Sequence, residues 1–193
     1  MDGPQGSAVK AGKTAIIVLV IGLSLGMMGL AIVSVVRAQR TAELHERAVR
    51  QLRGGNYGDA RELFEDALAI RPDEPAYLAN YGLCLEMMGD HAGSIDAYRR
   101  SLELWDDPQV RFQLGRVSCT AGEVETGVQI MWQVNSAVML TARQMGDLGI
   151  CLEASGRPGE AIPYLERGLS TSPDNPALIQ ALDRASAYLV ITD

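Results

Sequence analysis

The sequence predicts an all-α protein: a solenoid of four helical hairpins, closed by a C-terminal capping helix and preceded by one membrane-spanning helix. Three observations predict it. Glycines recur at a fixed period, small and large residues recur in phase with them, and one N-terminal stretch of 23 residues carries no charge. A period of 33 or 34 residues is that of a two-helix unit. Such a unit cannot bury its apolar face alone and must stack on the next copy.

Residues 1–13 form a short polar tail, and residues 14–36 are the charge-free run. As a helix the run would be about 35 Å long, enough for a hydrocarbon core of about 30 Å. The apolar stretch of a cleaved signal peptide is shorter, about 7–15 residues. The expectation is therefore a signal-anchor that stays in the membrane. Gly22, Gly26 and Gly29 fall at i, i+4 and i+7 on one face. That spacing lets two membrane helices approach closely, as a homodimer or with another protein's helix.

Lys10 and Lys13 precede the run, while Arg37, Arg40, Arg47 and Arg50 follow it. Counting them would keep the C-terminal domain in the cytoplasm, but long domains translocate largely regardless of charge. The expectation is a single-pass protein of a bacterial inner membrane with its repeats on the exported, periplasmic side, the cytoplasmic side being left open. Residues 37–40 read as a helical juxtamembrane segment. Nothing between Gly29 and Gly54 breaks a helix, so the span is expected to run straight into the first repeat.

The repeats occupy residues 41–173, in copies of about 41–74, 75–107, 108–141 and 142–175. Gly82, Gly115 and Gly149 are followed seven residues later by Gly89, Gly122 and Gly156. Ala60, Ser94, Gly127 and Ala161 form a small-residue series, and Phe64, Tyr98, Met131 and Leu165 a large one four positions on. Small residues let the two helices of a hairpin close up, and the bulky ones fill the space beside them. Gly89 and Gly156 suit left-handed helix caps. Pro72 and Pro173 end second helices. The third copy is the least regular, with no closing proline and an apolar link over residues 137–140. Residues 176–193 hold the capping helix, which covers the last apolar face.

These series, carried by NYGDARELFEDALAIRPDEP, LANYGLCLEMMGDHAGSIDAYRRSLEL and LGICLEASGRPGEAIPYLERGLSTSPDNP, resemble the tetratricopeptide repeat (TPR) family. The resemblance implies a concave groove lined by the first helix of each hairpin, where a peptide or helix of a partner protein docks. His45, Asn80, Leu83, Gln109, Phe112, Arg116 and Arg143 are the partner-binding residues it implies. Phe112 and Arg116, one turn apart, are of the types that anchor interfaces. In one well-known use of the groove, a two-carboxylate clamp grips chaperone tails. Its positions here read His45, Val49, Asn80, Gln109 and Gln113, and only Asn80 matches. That ligand class is disfavoured.

Composition narrows the function classes further. A formal charge of −7 and a pI near 4.9 argue against nucleic acid as a partner. Cys84, Cys119 and Cys151 are odd in number and about 30 residues apart, which reads as neither a disulfide framework nor a zinc pattern. They are expected to be buried as small hydrophobes. His45 and His91 lie far apart, so no metal and no cofactor are expected. Phosphate-binding loops, dinucleotide fingerprints and nucleophile elbows are absent from the sequence, so the expectation is a non-catalytic scaffold or adaptor in the assembly of a membrane or envelope complex. The alternative is a permanent structural subunit of a membrane complex, held through its membrane helix.

Overall fold

The computed structural model describes the backbone of residues 4–192, and side chains from residue 23 onward apart from residues 25, 189, 191 and 192. Among the described residues there are nine α-helices and no strand. They are α1 (Pro4–Arg53), α2 (Tyr57–Ile70), α3 (Pro75–Met87), α4 (His91–Leu104), α5 (Pro108–Thr120), α6 (Val124–Ala137), α7 (Ala142–Ala154), α8 (Pro158–Leu169) and α9 (Pro176–Thr192). The end of α1 pairs with α2, α3 with α4, α5 with α6 and α7 with α8, giving four antiparallel hairpins, while α9 packs on the last.

Each hairpin turn is built the same way. Gly55, Gly89, Gly122 and Gly156 have φ of 78°, 82°, 93° and 75°, a left-handed conformation that costs glycine no steric penalty. Hairpin closure needs small residues too. A Cβ on Gly127 would fall 2.5 Å from the Gly115 carbonyl oxygen, and one on Gly168 would fall 2.7 Å from the Gly146 Cα. Beside these crossings Phe64, Tyr98, Met131 and Leu165 are fully buried, so the large-residue series is the core of the stack. The irregular third copy still closes cleanly. Thr141 and Gln144 form a reciprocal capping box that starts α7, and Leu140 turns inward to 3% exposure.

The first helices approach one another across repeats, α1 with α3 and α5 with α7, while the second helices splay apart. The stack therefore curves with the first helices on its inner face. At its end α9 buries Leu178, Ala181 and Ala185, with Leu178 seated where α7 and α8 touch through Gly146 and Gly168.

At the other end, α1 is one uninterrupted helix from Pro4 to Arg53. Among the described residues no helix is long and apolar enough to cross a membrane. The first part of the expected span, with Gly22, lies outside the described side chains. Gly26 and Gly29 are described, and a Cβ on either would meet nothing within 4 Å.

Candidate partner-binding groove

The inner face is held together by polar rungs between neighbouring first helices. Between the first and second hairpins, Asn80 Nδ2 donates to His45 Nε2 at 2.9 Å, and the His45 ring stacks on Tyr77 at 4.3 Å between centroids. Burial holds the His45 imidazole below its ordinary 6.5, against the opposing pull of Glu46 and Glu74. The neutral ring is the form that can accept from Asn80. Between the third and fourth hairpins, Gln144 Nε2 donates to Gln109 Oε1 at 3.0 Å.

The strongest rung lies between α3 and α5. Arg116 grips Glu86 with both ends of its guanidinium, at 2.6 and 2.8 Å, and its Nε donates to Gln113 at 2.9 Å. The Glu86 side chain is only 5% exposed, while that of Arg116 keeps 26%. Tyr98 Oη adds a contact to Glu86 at 3.5 Å. Burial and the neighbouring Glu86 carboxylate push the Tyr98 phenol well above its usual value.

Two expectations drawn from the sequence are overturned, for Phe112 and for the Cys119–Cys151 pair. Phe112 is 1% exposed and packs with Val128, Met131 and Leu148 in the core of the third and fourth hairpins. Around α5, position 112 lies about 40° from 116 and about 60° from 109, at the border of the face carrying Gln109, Gln113 and Arg116, and its ring turns into the core. It is a packing residue and not an interface anchor. Cys119 and Cys151, expected as separate buried thiols, form a disulfide that joins α5 to α7 with their Cα atoms 6.0 Å apart. Cys84 alone stays free and buried, its thiol pushed up by burial.

Two hollows remain open on the inner face. One is lined by Val49, Leu52, Tyr57, Asn80, Leu83 and Met87, and so takes in two of the sequence-predicted residues. The other lies between α5 and α7 over the disulfide, lined by Arg116, Thr120, Asp147, Ile150 and Ala154. Asp147 is half-buried, and its carboxyl accepts no hydrogen bond among the described residues. Burial raises its pKa above the ordinary 3.8; Arg116 and Arg143 oppose that shift, and Glu86 adds to it. Arg143 itself is exposed on the turn before it. Sequence reasoning missed Asp147, although its place four residues after Arg143 put it on the same helix face. Among the described residues no cluster of His, Cys, Asp or Glu could hold a metal ion.

Residues 45–108 match the family model described as tetratricopeptide repeat. The match covers the first two hairpins, from the end of α1 through α4, and the array as a whole has the fold of a tetratricopeptide-repeat-like solenoid. Solved structures share this fold. MamA of Desulfovibrio magneticus RS-1 superposes with a TM-score of 0.67 at 17% identity, covering 77% of this chain and 85% of that one. The pilF protein of Pseudomonas aeruginosa does so with a TM-score of 0.64 at 17% identity, covering 77% and 68%. YrrB, described as a TPR protein with an unusual peptide-binding site, gives 0.63 at 17% identity, covering 75% of each chain. No curated protein matches the sequence.

Proposed function

We propose that this protein is a membrane-anchored scaffold whose tetratricopeptide-repeat groove holds a segment of a partner protein on the exported side of the membrane. The observation that carries the binding role is the hollow over α5 and α7. There a partly desolvated carboxyl that accepts no hydrogen bond among the described residues, Asp147, stands one turn from the half-buried apolar side chain of Ile150. A carboxylate with a raised pKa is relieved when a cation or hydrogen-bond donor arrives. The fitting occupant is an extended peptide or helix offering a basic side chain beside an apolar one. The likeness to YrrB supports a peptide as the class of ligand.

The anchor is supported by the character of α1 ahead of the repeats. Leu23, Met27, Leu30, Ile32, Val33 and Val36 are each about half exposed or more, and they point to all sides of the helix. A helix apolar all round needs an apolar surrounding. The exported side is supported by the Cys119–Cys151 disulfide, since disulfides persist in oxidising compartments and are rare in the cytosol.

The test uses the full chain in membranes. A photo-crosslinking residue at Ile150 or Leu83 should trap one protein partner, and the same residue at Asp96 or Gln129 on second helices should trap none. Equal yields from both faces would refute a groove-bound ligand. A topology reporter fused after Asp193 decides the side of the membrane independently.

A further inference from the structure

The antiparallel hairpins give the array two edges of opposite character. One edge carries the turns inside each hairpin, where Gly55, Gly89, Gly122 and Gly156 are followed by Asn56, Asp90, Glu123 and Arg157. The other carries the loops between hairpins, together with the starts of α3, α5 and α7. The first helices run parallel to one another, so this second edge is the one from which α1 arrives.

Register places matching residues there. Arg71, Trp105 and Val138 are the C-caps of α2, α4 and α6, one repeat apart. The first of these loops lies level with the end of the apolar run, since Ile70 and Arg71 line one hollow with Leu30, Val33, Arg37 and Ala38 of α1. The second loop stands beside the first. Trp105 borders Glu74 and Pro75, and Ser101 Oγ donates to the Pro75 carbonyl at 2.8 Å. Along this edge large apolar side chains stand in solvent: Leu104 at 44% exposure, Trp105 at 67% and Met139 at 92%.

We propose that the loops joining the repeats, led by Trp105 and Met139, rest in the interfacial layer of the bilayer that α1 enters, so that the array lies with this edge against lipid. The inference rests on the anchor reading given above. Tryptophan favours the headgroup level, where one end of its ring is apolar and the other wet. The basic side chains beside it are already paired, Arg71 with Glu74 and Arg111 with Asp106, and the Asp107 carboxylate caps α5 by accepting from the Gln109 N–H. The attraction is therefore apolar and does not call for anionic lipid.

Two tryptophans make the test direct. Trp132 sits mid-helix on α6 under the Arg157 guanidinium, 4.1 Å from the ring centroid, and Arg157 belongs to the opposite edge. Full-length Trp132→Phe and Trp105→Phe proteins are reconstituted into phosphatidylcholine vesicles, with and without brominated acyl chains. The Trp132→Phe protein should lose emission in brominated lipid, and the Trp105→Phe protein should not. Protein that floats with the vesicles after an alkaline wash while Trp105 stays unquenched overturns the edge contact and leaves the anchor standing. Equal quenching of both tryptophans also overturns it. Protein that fails to float overturns the anchor and the edge contact together.

Discussion

Removing Arg116 should cost about 3 kcal/mol of folding stability, near the lower end of what breaking a buried ion pair costs. The geometry sets that figure. Glu86 is almost fully buried, and without Arg116 its carboxylate keeps only the Tyr98 hydroxyl at 3.5 Å while remaining close to Asp147. At an effective dielectric near 20, the lost attraction across about 4 Å is itself about 4 kcal/mol. Arg116 is a quarter exposed, so part of that attraction is offset by hydration in the intact protein. The reverse change, Glu86→Ala, should cost less, about 1–2 kcal/mol, because Arg116 keeps Gln113 and can turn to water. The double variant should therefore be clearly more stable than the sum of the two single losses predicts. Urea unfolding of the detergent-solubilised chain, followed by circular dichroism, measures all three. In a stack whose units touch only their neighbours, amide exchange should rise first in α3 and α5. An Arg116→Ala loss below about 1 kcal/mol, the value of a surface pair, would refute the claim that Glu86 depends on it.

Other outcomes follow from the same inner face. Reducing the Cys119–Cys151 bond, which closes a loop of 32 residues, should lower stability by about 3–4 kcal/mol, read as a fall in melting temperature that a Cys119→Ser, Cys151→Ser double variant no longer shows. Asp147→Asn should raise the melting temperature at neutral pH. A carboxyl whose folded pKa is raised destabilises the fold as pH climbs from 3.8 through that raised value, and the variant removes this slope. His45 acts in the other sense. Its folded pKa is depressed, so stability should fall as pH drops below 6.5, and His45→Gln should flatten that loss in a pH series of melting curves. Phe112→Ala should cost about 3–5 kcal/mol by emptying the core. At temperatures where the fold survives, crosslinking from Ile150 should persist.

The architecture was legible because each of its devices leaves a residue at a fixed place. A left-handed turn leaves glycine, as at Gly89, Gly122 and Gly156, and a close helix crossing leaves Gly115 opposite Gly127. The groove was legible only in part, because periodicity tells which helix face turns inward but not which side chains are already engaged. His45 and Asn80 do lie on that face, and they are spent on each other. Gln109 is spent on Gln144, and Arg116 on Glu86. Phe112 misled because aromatics anchor interfaces and cores alike, and a position at the border of a helix face can turn its side chain either way. The disulfide was hidden for a different reason. Cys119 and Cys151 pair across hairpins, so their separation follows the repeat and resembles the spacing of unrelated core positions.

That engagement of the predicted residues bears on how the groove works. Neighbouring first helices are tied by His45 to Asn80, Glu86 to Arg116, Gln109 to Gln144 and Cys119 to Cys151. Each tie fixes the angle between two repeats, and together they fix the curvature of the inner face. Binding to a surface of set curvature avoids the entropy of ordering it, which is the general benefit of preorganisation. Most of the residues visible in the sequence thus shape the groove, and in the proposed reading contact with a partner would fall to what the rungs leave open, Asp147, Ile150 and Thr120 over the disulfide, and Leu83 and Met87 over α1. Loosening one rung should then weaken binding at a distance. Gln109→Ala, which removes the tie to Gln144 but leaves the Thr141–Gln144 capping box of α7 in place, should reduce crosslinking from Ile150, and unchanged yield would show that the rungs hold the fold but do not set the fit.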